Sequence, residues 1–393
     1  MKQRLLILSN ALDDQIRIER KITTDSPAAS RKVFMLGQAL QLAGVMPLVV
    51  SLGRGRAGGS RDFFPHRIKR HLGVPVYYSP FSRMRGLSEL ISMLAPLGVL
   101  IHPKYRKYKT AVLFYNRNPA FLPTLFLSTL LGYRNVLDLE DGEVDSNGNE
   151  NRGLFSHLVR FLFDKLCKGG ALLACRALES KTRIRPVLCY YGTAEDRGHS
   201  QAWRQEKTTV LMSGSLAPET GADMLIDTIR QLRADAADWT KQLHFVITGK
   251  GPSLPLFEML SAEPGHPTVQ VYGRLTDNAY RRVLRNSIIG LSLKPLHGPF
   301  ADNTFPSKVM EFSSADLLVV ATAISDVRTV LNDGAIYLWD DTVDELIRYL
   351  RWSVMDRKGA LICARRGHHH VLSHYTPAIA GARVADFIFR KPQ

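Results

Sequence analysis

Cysteine is scarce in this chain, which argues against a disulfide framework or a cysteine-bound metal. The four cysteines are Cys167, Cys175, Cys189 and Cys363; no two form a CxxC pair, and no histidine stands at a metal-ligand spacing from them. We therefore predict buried free thiols in a reducing cytoplasm. The run His368–His370, beside Arg365 and Arg366, is predicted to be a solvated loop, with metal binding as the alternative.

Long uninterrupted apolar runs are also lacking, which argues against a transmembrane helix or the core of a signal sequence. The first residues, MKQRLLILSN, contain a short apolar run that is predicted to be a buried strand. The stretches Leu87–Ile101 and Ala120–Leu131 are interrupted by Pro, Glu or Thr. We find no internal repeat or low-complexity segment, and 393 residues with 45% hydrophobic composition are typical of a globular chain with two domains.

Acidic residues are fewer than basic residues mainly in the first half of the chain. Residues 1–200 contain 30 Lys and Arg against 16 Asp and Glu, a net charge of +14, whereas residues 201–393 contain 22 against 20, a net charge of +2. The positive charge clusters at 54–71 and 102–109. Such clusters attract lipid headgroups, acidic glycans or nucleic acid; the alternative is a basic surface that only keeps the protein soluble.

Short apolar runs alternate with helical patterns along the whole chain, which predicts parallel sheets covered by helices on both faces. A polar segment at 192–207 interrupts this alternation and is predicted to be the interdomain linker. We therefore predict an α/β fold of two doubly wound, Rossmann-like domains, 1–195 and 205–375, that face each other across a cleft. The tail, 376–393, is predicted to form a helix that packs back toward the N-terminal domain.

In such folds ligands bind at the loops that follow strands, and two of these loops in the second half are rich in glycine. The stretch SGSLAPETG follows one predicted strand and includes Gly214 and Ser215. The stretch GKGP follows the next strand, where Gly249 and Gly251 flank Lys250. Exposed backbone N–H groups and one positive charge suit a phosphate or a nucleotide base edge. A glycine-rich turn without a ligand is the alternative.

A third loop leads into FADNTFPSKVMEF, residues 300–312, which has the pattern of a capped helix. Pro306 suits the first helical position, N1, because its missing N–H is not needed there and its fixed φ fits a helix. Thr304 or Phe305 then falls at the N-cap. We therefore predict a helix that begins at Pro306.

The start of this predicted helix has the features of an anion site. Backbone N–H groups around Ser307 and Lys308 point out of the helix end, and the Lys308 ammonium adds positive charge. Glu311 lies on the same face, one turn further along. The pattern fits a sugar nucleotide, with its diphosphate on the amides and its ribose on Glu311. The alternative is that Glu311 is a surface residue that pairs with Lys308 at i, i+3.

An acidic loop follows a strand of the first half, in the stretch NVLDLEDGEVD, residues 135–145. The predicted strand ends at Leu139 and delivers Glu140 and Asp141 to the rim of the sheet. Two carboxylates at a strand end are candidates for a general base or for stabilising an oxocarbenium-like transition state. A solvated acidic turn, or an N-cap for the next helix, is the alternative, and the pattern does not decide between the two residues.

The second half resembles the donor domain of family 4 glycosyltransferases, which have the two-domain GT-B fold. The family motif is close to E-G-F-G-L-x-x-x-E, and the matching stretch here runs from Asn303 to Glu311. Phe305 and Glu311 match, Asn303 replaces the first glutamate, and the FPSK-x-x-E form is similar to that of bacterial polysaccharide-building members. SGSL, VITGKGP and VYGRL resemble other loops of that domain, and TDSPAASRK (24–32) and ALLACRALES (171–180) resemble the N-terminal domain more loosely.

The resemblance implies a GT-B glycosyltransferase with an acceptor-side domain at 1–195 and a nucleotide-sugar-binding domain at 205–375. It would move a sugar from a nucleotide-sugar donor to a lipid-linked or other anionic glycan acceptor in cell-surface or exopolysaccharide assembly, with retention of anomeric configuration. No metal or other cofactor is implied. The protein would be cytoplasmic and peripheral on the inner face of the plasma membrane, with the stretches 81–101 and 152–166 either in the membrane interface or in the core.

The resemblance also implies roles for individual residues. The donor nucleotide and its phosphates would contact Gly214, Ser215, Gly249, Lys250, Gly251, Arg274, Lys294, Phe305, Ser307, Lys308 and Glu311. The predicted catalytic residues are Asp141, Glu140 and Asn303, with Asn303 or Asp302 facing the transferred sugar, and the acceptor-side loop contains Ser26 and Ala28. The family's usual Arg and Lys are missing from the first donor loop at Ala217–Thr220, so the predicted substitutes are Lys250, Arg274, Lys294 and Lys308.

Two other functions fit parts of the pattern. One is a sugar-nucleotide-processing enzyme of the same fold, of the epimerase type, although the sites of such enzymes are built from motifs other than NTFPSKVME. The other is a non-enzymatic basic module that binds nucleic acid. The sequence lacks an RNP-like pattern of stacking aromatic and basic residues, and the acidic EDGEVD run would repel phosphates.

Overall fold

The computed structural model describes residues 3–56, 63–103, 109–140, 153–298, 301 and 303–390. The chain divides into two compact units, Met1–Thr193 with Pro377–Gln393 and Ala194–Thr376. Each unit is built on a mainly parallel β-sheet with helices in the connections, so the predicted α/β fold is confirmed.

The first unit contains a large sheet and a separate short strand pair. The strands are β1 (Gln3–Ser9), β2 (Met46–Ser51), β3 (Phe63–Phe64), β4 (Arg67–His71), β5 (Val74–Tyr78), β6 (Phe81–Ser82), β7 (Lys109–Tyr115), β8 (Arg134–Leu139), β9 (Ala171–Leu173) and β10 (Val187–Cys189). The order in the large sheet is β10-β9-β8-β7-β1-β2-β5-β4, and β4 runs antiparallel to β5. Leu5, Leu6 and Ile7 of β1 are fully buried, as expected for a central strand with both faces covered.

Helices pack on this sheet through apolar residues at helical spacing. Their bounds are α1 (Asp14–Glu19), α2 (Pro27–Leu42), α3 (Arg85–Ile101), α4 (Leu122–Leu130) and α5 (Leu154–Leu166). In α2, the residues Val33, Leu36 and Leu40 lie on one face and are buried in the core of the unit. Because α2 follows β1 and packs along β2, its first turn lies at the carboxyl edge of the sheet.

The second unit contains six described strands, all parallel. They are β11 (Thr208–Ser215), β12 (Leu243–Lys250), β13 (Thr268–Gly273), β14 (Ile289–Ser292), β15 (Leu318–Thr322) and β16 (Ala335–Leu338). Their order, β13-β12-β11-β14-β15-β16, is that of a doubly wound dinucleotide-binding fold. The direction of winding reverses between β11 and β14, and in folds of this kind ligands bind beyond the carboxyl ends of the strands at such a reversal.

Helices again follow the strands of the second unit. They are α6 (Ala222–Asp235), α7 (Leu254–Ala262), α8 (Asp277–Arg285), α9 (Lys308–Ser314), α10 (Val327–Leu331), α11 (Val343–Met355) and α12 (Arg357–His374). Short 3-10 helices lie at Pro119–Phe121 and Arg176–Lys181 in the first unit, and at Gln201–Arg204, Pro218–Thr220 and Asp238–Gln242 in the second. Apolar residues of β11, β12, β14 and α6 form the core of the unit.

The last helix, α13 (Pro377–Phe389), belongs to the first unit, where it packs on α2. The two helices approach so closely that a Cβ atom at Gly381 would lie 2.0 Å from the Ala39 carbonyl oxygen. Val384 and Ile388 follow Gly381 at helical spacing and are buried in the core of that unit. Glycine is therefore required at the crossing point of α2 and α13.

The predicted start of helix α9 is wrong. Ser307 is the N-cap, in helical conformation and without a side-chain cap bond, so Pro306 is not at N1 and neither Thr304 nor Phe305 is the N-cap. The Pro306 carbonyl accepts the Val309 N–H at 3.0 Å, an i, i+3 bond that overlaps the first residues of the helix, so the chain enters α9 through a tighter turn. The helix that the pattern predicted is present but shorter.

The prediction of a solvated loop at His368–His370 is also wrong. These residues lie in α12, and the His368 side chain is buried. The buried face of α12 consists of Ala360, Ala364, Gly367, His368 and Val371. Small residues give such a face only a weak apolar pattern, so the sequence did not reveal the helix.

The segment 192–207, predicted as a linker, packs largely on the second unit. Ser200 Oγ donates hydrogen bonds to the carbonyls of Arg285 and Ser287 at 2.9 and 2.8 Å. His199 Nδ1 lies 3.1 Å from a carboxylate oxygen of Asp316. The polar side chains of this segment therefore form hydrogen bonds to the second unit.

Candidate functional site

Four side chains of the second unit form one hydrogen-bonded cluster. Lys308 Nζ in α9 donates to Glu311 Oε2 at 2.6 Å and to Tyr280 Oη in α8 at 3.1 Å. Tyr280 Oη lies 3.2 Å from Glu311 Oε2 and 2.9 Å from Ser213 Oγ in β11. The Lys308 ammonium also lies 4.7 Å from the centroid of the Tyr280 ring. We call Ser213, Tyr280, Lys308 and Glu311 the α9 cluster.

The α9 cluster lies at the point where the strand order of the sheet reverses. β11 contributes Ser213 near its carboxyl end, and the chain leaving β14 leads into α9. Gly214 has φ +117°, and a Cβ atom there would lie 3.6 Å from Lys308 Cε. Reversal points of this kind are where open α/β sheets bind ligands, so the topology alone makes this cluster a candidate site.

The glycines predicted to approach a phosphate have a role in backbone packing. A Cβ atom at Gly249 would lie 1.8 Å from the Gly214 carbonyl oxygen, and one at Gly251 would lie 2.2 Å from that of Leu216. Both residues have φ in the left-handed region. These glycines are therefore needed for β11 and β12 to run side by side into their loops, whether or not a ligand is bound.

Glu311 is buried, with 9% of its surface exposed, and positive groups lie on both sides of its carboxylate. Arg197 Nη2 is 3.5 Å from Oε1, while Lys308 bonds to Oε2. Burial alone would lower the pKa of Lys308, but the Glu311 carboxylate and Tyr280 outweigh it and raise that pKa to about 12. Lys308 is therefore cationic at physiological pH.

The Tyr280 hydroxyl is neutral at physiological pH, because burial and then the Glu311 carboxylate raise its pKa. The sequence alternative, an ion pair between Glu311 and Lys308 at i, i+3, is present in the structure. Glu311 is nevertheless not a surface residue. A buried carboxylate held by a cation and a hydroxyl is a fixed acceptor for hydrogen bonds, which is the chemistry that a ribose hydroxyl requires.

The other predicted donor-site residues lie around the same edge of the sheet. Lys294 Nζ, after β14, donates to Thr304 Oγ1 in the segment before α9. Lys250 ends β12 beside Ser215 of β11, and both side chains are exposed. Arg274, directly after β13, is also exposed. In the segment before α9, Asn303 and Phe305 are half-buried, and Ser307 is exposed.

A second polar cluster lies at the carboxyl edge of the sheet in the first unit. Lys32 Nζ in α2 donates to Glu140 Oε1, directly after β8, and lies 5.2 Å from the centroid of the Tyr190 ring. Glu140 N–H donates to Asn116 Oδ1 at 2.9 Å. Asp138 in β8 is fully buried, and burial followed by the neighbouring Glu140 carboxylate raises its pKa well above the usual value. Lys32 thus pairs with Glu140, whose carboxylate neighbours the buried carboxyl group of Asp138.

Of the other first-unit predictions, Asp141 lies outside the described residues, as does Asp302 in the second unit. Ser26 is the N-cap residue of α2, and Ala28 lies in its first turn; both side chains are exposed. They therefore stand at the start of the helix that brings Lys32 to Glu140. Whether these residues face an acceptor stays a prediction.

Several residues in or beside these two clusters had no role in the sequence analysis. Tyr280 and Arg197 contact Glu311, and Lys32 contacts Glu140. Lys32 is the last residue of the stretch TDSPAASRK, which was noted only for its resemblance. Tyr280 and Arg197 have no motif around them that separates them from other surface residues, so the sequence carried no signal for them.

The described part of the chain contains no group of three or more His, Cys, Asp or Glu residues that could hold a metal ion. The four cysteines form no disulfide among the described residues; Cys167 and Cys175 are buried, and Cys189 and Cys363 are half-buried. The prediction of burial therefore holds for two of the four.

Comparison with known proteins assigns a class to the second unit. Residues 207–355 match the family described as "Glycosyl transferases group 1", a span that contains the whole α9 cluster. The second unit therefore contains a group 1 glycosyltransferase domain, and the prediction of a glycosyltransferase is confirmed to that extent. No curated protein matches the chain.

Solved structures match the architecture of the whole chain. HepE from Anabaena, in complex with UDP and glucose, is 12% identical with a TM-score of 0.67, covering 98% of both chains. Sucrose-phosphate synthase from Thermosynechococcus elongatus is 11% identical with a TM-score of 0.67, also covering 98% of both. An E. coli structure described as trehalose-6-phosphate bound with UDP-2-fluoro glucose is 11% identical with a TM-score of 0.66, covering 99% of this chain and 100% of the other. These likenesses confirm the predicted GT-B fold.

Proposed function

We propose that this chain is a glycosyltransferase that uses a nucleotide-sugar donor, and that the α9 cluster is part of its donor site. The observation that carries the proposal is a buried, charged Lys308–Glu311 pair at the strand reversal of a domain that matches group 1 glycosyltransferases. Solved structures of the same fold contain UDP with glucose or a UDP-sugar analogue, which supports a UDP-sugar as the first donor to test. The FPSK-x-x-E form supports the narrower assignment to family 4.

In this proposal Glu311 accepts hydrogen bonds from the ribose hydroxyls of the donor. Lys308 holds the carboxylate in place and contributes positive charge near the diphosphate, together with the backbone N–H groups of the turn at Ser307. Lys294, Lys250 and Arg274 supply further charge around the same edge, in place of the Arg and Lys missing from the first donor loop. Phe305 packs beside the nucleotide, and Gly214, Ser215, Gly249 and Gly251 form the floor on which it lies.

The proposed reaction breaks the bond between the anomeric carbon of the donor and its phosphate oxygen. The acceptor hydroxyl oxygen forms the new bond to that carbon, and the nucleoside diphosphate leaves with the electron pair of the broken bond. The hydroxyl proton passes to the leaving phosphate, with retention of configuration, or to Glu140 or Asp141 as base. Asn303 or Asp302 faces the transferred sugar. No metal or other cofactor takes part in this scheme.

The proposed acceptor is a lipid-linked or other anionic glycan in cell-surface or exopolysaccharide assembly, bound near Ser26 and Ala28. The net charge of +14 over residues 1–200 supports an anionic partner for the first unit. We place the reaction in the cytoplasm at the inner face of the plasma membrane, where a lipid-linked acceptor would be presented. A transferase should release nucleoside diphosphate in step with added acceptor, whereas an epimerase would convert the donor without one.

The donor assignment is tested by thermal shift with UDP-, GDP-, ADP- and CMP-sugars on the wild type, Glu311→Gln and Glu345→Gln. Glu345 is the matched control, because it is also a buried carboxylate that pairs with a basic residue three positions away, Arg348, but it lies in α11. A donor at 100 times its dissociation constant should add about 2.7 kcal/mol of stability to the wild type and the control. We expect Glu311→Gln to lose most of that gain.

Two results would contradict the assignment. If no nucleotide sugar stabilises the wild type, the chain does not bind such donors. If the best donor stabilises Glu311→Gln as much as Glu345→Gln, the donor does not contact Glu311.

A further inference from the structure

Exposed apolar side chains are concentrated on three helices of the first unit. Of the 23 large apolar side chains that are exposed in the described part of the chain, 11 lie on or directly beside α3, α4 and α5. They are Met84, Leu87, Leu90, Leu94, Ile101, Phe126, Leu130, Leu154, Phe155, Leu158 and Phe161. We call them the apolar helix surface.

The exposed residues of α3 form one stripe along the helix. Leu87, Leu90, Leu94 and Ile101 follow a spacing of three, four and seven residues, which places them on one face. Ser92 and Leu100, which share another side of the helix at a spacing of eight residues, are buried. The stretch 81–101 is therefore not simply core: its inner face packs on the unit, and its outer face presents leucines to the outside.

The helix α5 has the same construction. Leu154, Leu158 and Phe161 lie on its outer face and are 90%, 51% and 56% exposed, whereas Val159 and Phe163 on its inner face are buried. Helix α4 lies between the two others, because it packs on both α3 and α5. The three outer faces thus belong to neighbouring helices, and exposed apolar patches of such extent are typical of interaction sites.

The charged residues beside the apolar helix surface indicate the kind of partner that this surface would bind. In α5 the acidic residue, Asp164, turns inward and pairs with Arg117 at 2.8 Å. Lys165, by contrast, is exposed with its ammonium 5.7 Å from the centroid of the Phe161 ring, and Lys168 follows it on the outside. Helix α4 has no charged residue, and α3 has Glu89 as its acidic residue. Lysines at the edge of exposed Leu and Phe side chains are the composition of an interfacial helix.

We propose that the apolar helix surface docks on an anionic lipid bilayer. The Leu and Phe side chains would enter the boundary between headgroups and acyl chains, and Lys165 and Lys168 would meet anionic headgroups. Among the helices that the structure describes, none has the length and hydropathy of a membrane span. The proposal rests on the proposed function for its purpose, because docking would bring the first unit to a lipid-linked acceptor.

Vesicle flotation of the full chain tests this docking. The vesicles contain phosphatidylcholine with phosphatidylglycerol, or phosphatidylcholine alone. We expect the wild type to float with the anionic vesicles, and Leu158→Glu with Phe161→Glu to weaken that binding at least about tenfold. The control, Met259→Glu with Met355→Glu, changes two exposed apolar residues of the second unit and should bind like the wild type. A second variant, Lys165→Glu with Lys168→Glu, should lose mainly the preference for anionic vesicles.

The results separate this proposal from the donor assignment. The docking proposal is overturned if the wild type stays unbound with anionic vesicles, or if the control, Met259→Glu with Met355→Glu, reduces binding as much as Leu158→Glu with Phe161→Glu does. It is also overturned if the wild type forms a dimer that Leu158→Glu with Phe161→Glu dissociates without vesicles, because the surface would then face a second copy. The thermal shift with nucleotide sugars should be unchanged in these variants, which leaves the donor site as an independent question.

Discussion

Replacing Lys308 or Glu311 alone should lower the stability of the second unit. The loss should be larger than the net stability that the intact pair contributes. The two charged atoms are 2.6 Å apart, with the side chains 32% and 9% exposed. Removing one partner of a fully buried pair costs about 3–5 kcal/mol, because the remaining charge stays desolvated. Lys308 is about a third exposed, so solvent screens part of this cost, and we expect about 2–3 kcal/mol for Glu311→Gln.

The opposite substitution should cost less. After Lys308→Met, the Glu311 carboxylate still has Tyr280 at 3.2 Å and Arg197 at 3.5 Å. We therefore expect about 1–2 kcal/mol for Lys308→Met. The double variant should be more stable than the sum of the two single changes predicts, with a coupling energy of about 1–2 kcal/mol.

Urea unfolding followed by tryptophan fluorescence measures these energies. The four tryptophans, Trp203, Trp239, Trp339 and Trp352, all lie in the second unit, so the signal reports on that unit. The control cycle uses Asp238 and Lys241, which pair at the same distance, 2.6 Å, but are 93% and 62% exposed. We expect no measurable coupling in the control. Additive effects at Lys308 and Glu311 would refute the reasoning that burial makes this pair strong.

Two further predictions concern the first unit. The raised pKa of Asp138 means that the folded state binds its proton more tightly than the unfolded state, so the stability of the first unit should fall as pH rises above the unfolded value near 4. In urea unfolding followed by far-UV circular dichroism between pH 4 and pH 8, Asp138→Asn should flatten this decline, while Asp227→Asn on the surface should not. In the same unfolding experiment, Gly381→Ala should lower the free energy of unfolding by about 1–3 kcal/mol, because the added methyl group would lie 2.0 Å from the Ala39 carbonyl oxygen. The control, Gly98→Ala, lies in a helix with open space around it and should be neutral or stabilising. An equal loss of stability in both variants would contradict the close crossing of α2 and α13.

Two loops of the second unit were predictable because their signals are local. At Gly214 and at Gly249 a strand, a glycine turn and a helix follow one another within about ten residues, so both glycines could be placed at the sheet edge from their neighbours alone. Tyr280 could not be placed, since it meets Glu311 across 31 residues of sequence. That contact depends on how α8 and α9 are arranged by the sheet, and no local pattern of the sequence encodes it.

The same limit applies to burial of charge in the first unit. Lys32 and Glu140 are 108 residues apart and meet because α2 and the end of β8 reach the same edge of the sheet. The sequence analysis paired Glu140 with Asp141, two carboxylates directly after a strand. Among the described residues, the carboxyl group that neighbours Glu140 is that of Asp138, which lies within the strand. An acidic residue inside a β pattern gives no sign of whether it faces water or the core.

The sequence left two roles open for Glu311, a pair with Lys308 or a contact to ribose, and the structure makes them compatible. Replacing a whole buried ion pair by apolar residues is often neutral or stabilising, so such a pair is weak support for the fold. If Lys308→Met with Glu311→Leu folds as stably as the wild type, the fold does not need the pair. Loss of the donor-induced thermal shift in that same variant would then assign the pair to binding. A retained shift would mean that the pair neither supports the fold nor contacts the nucleotide.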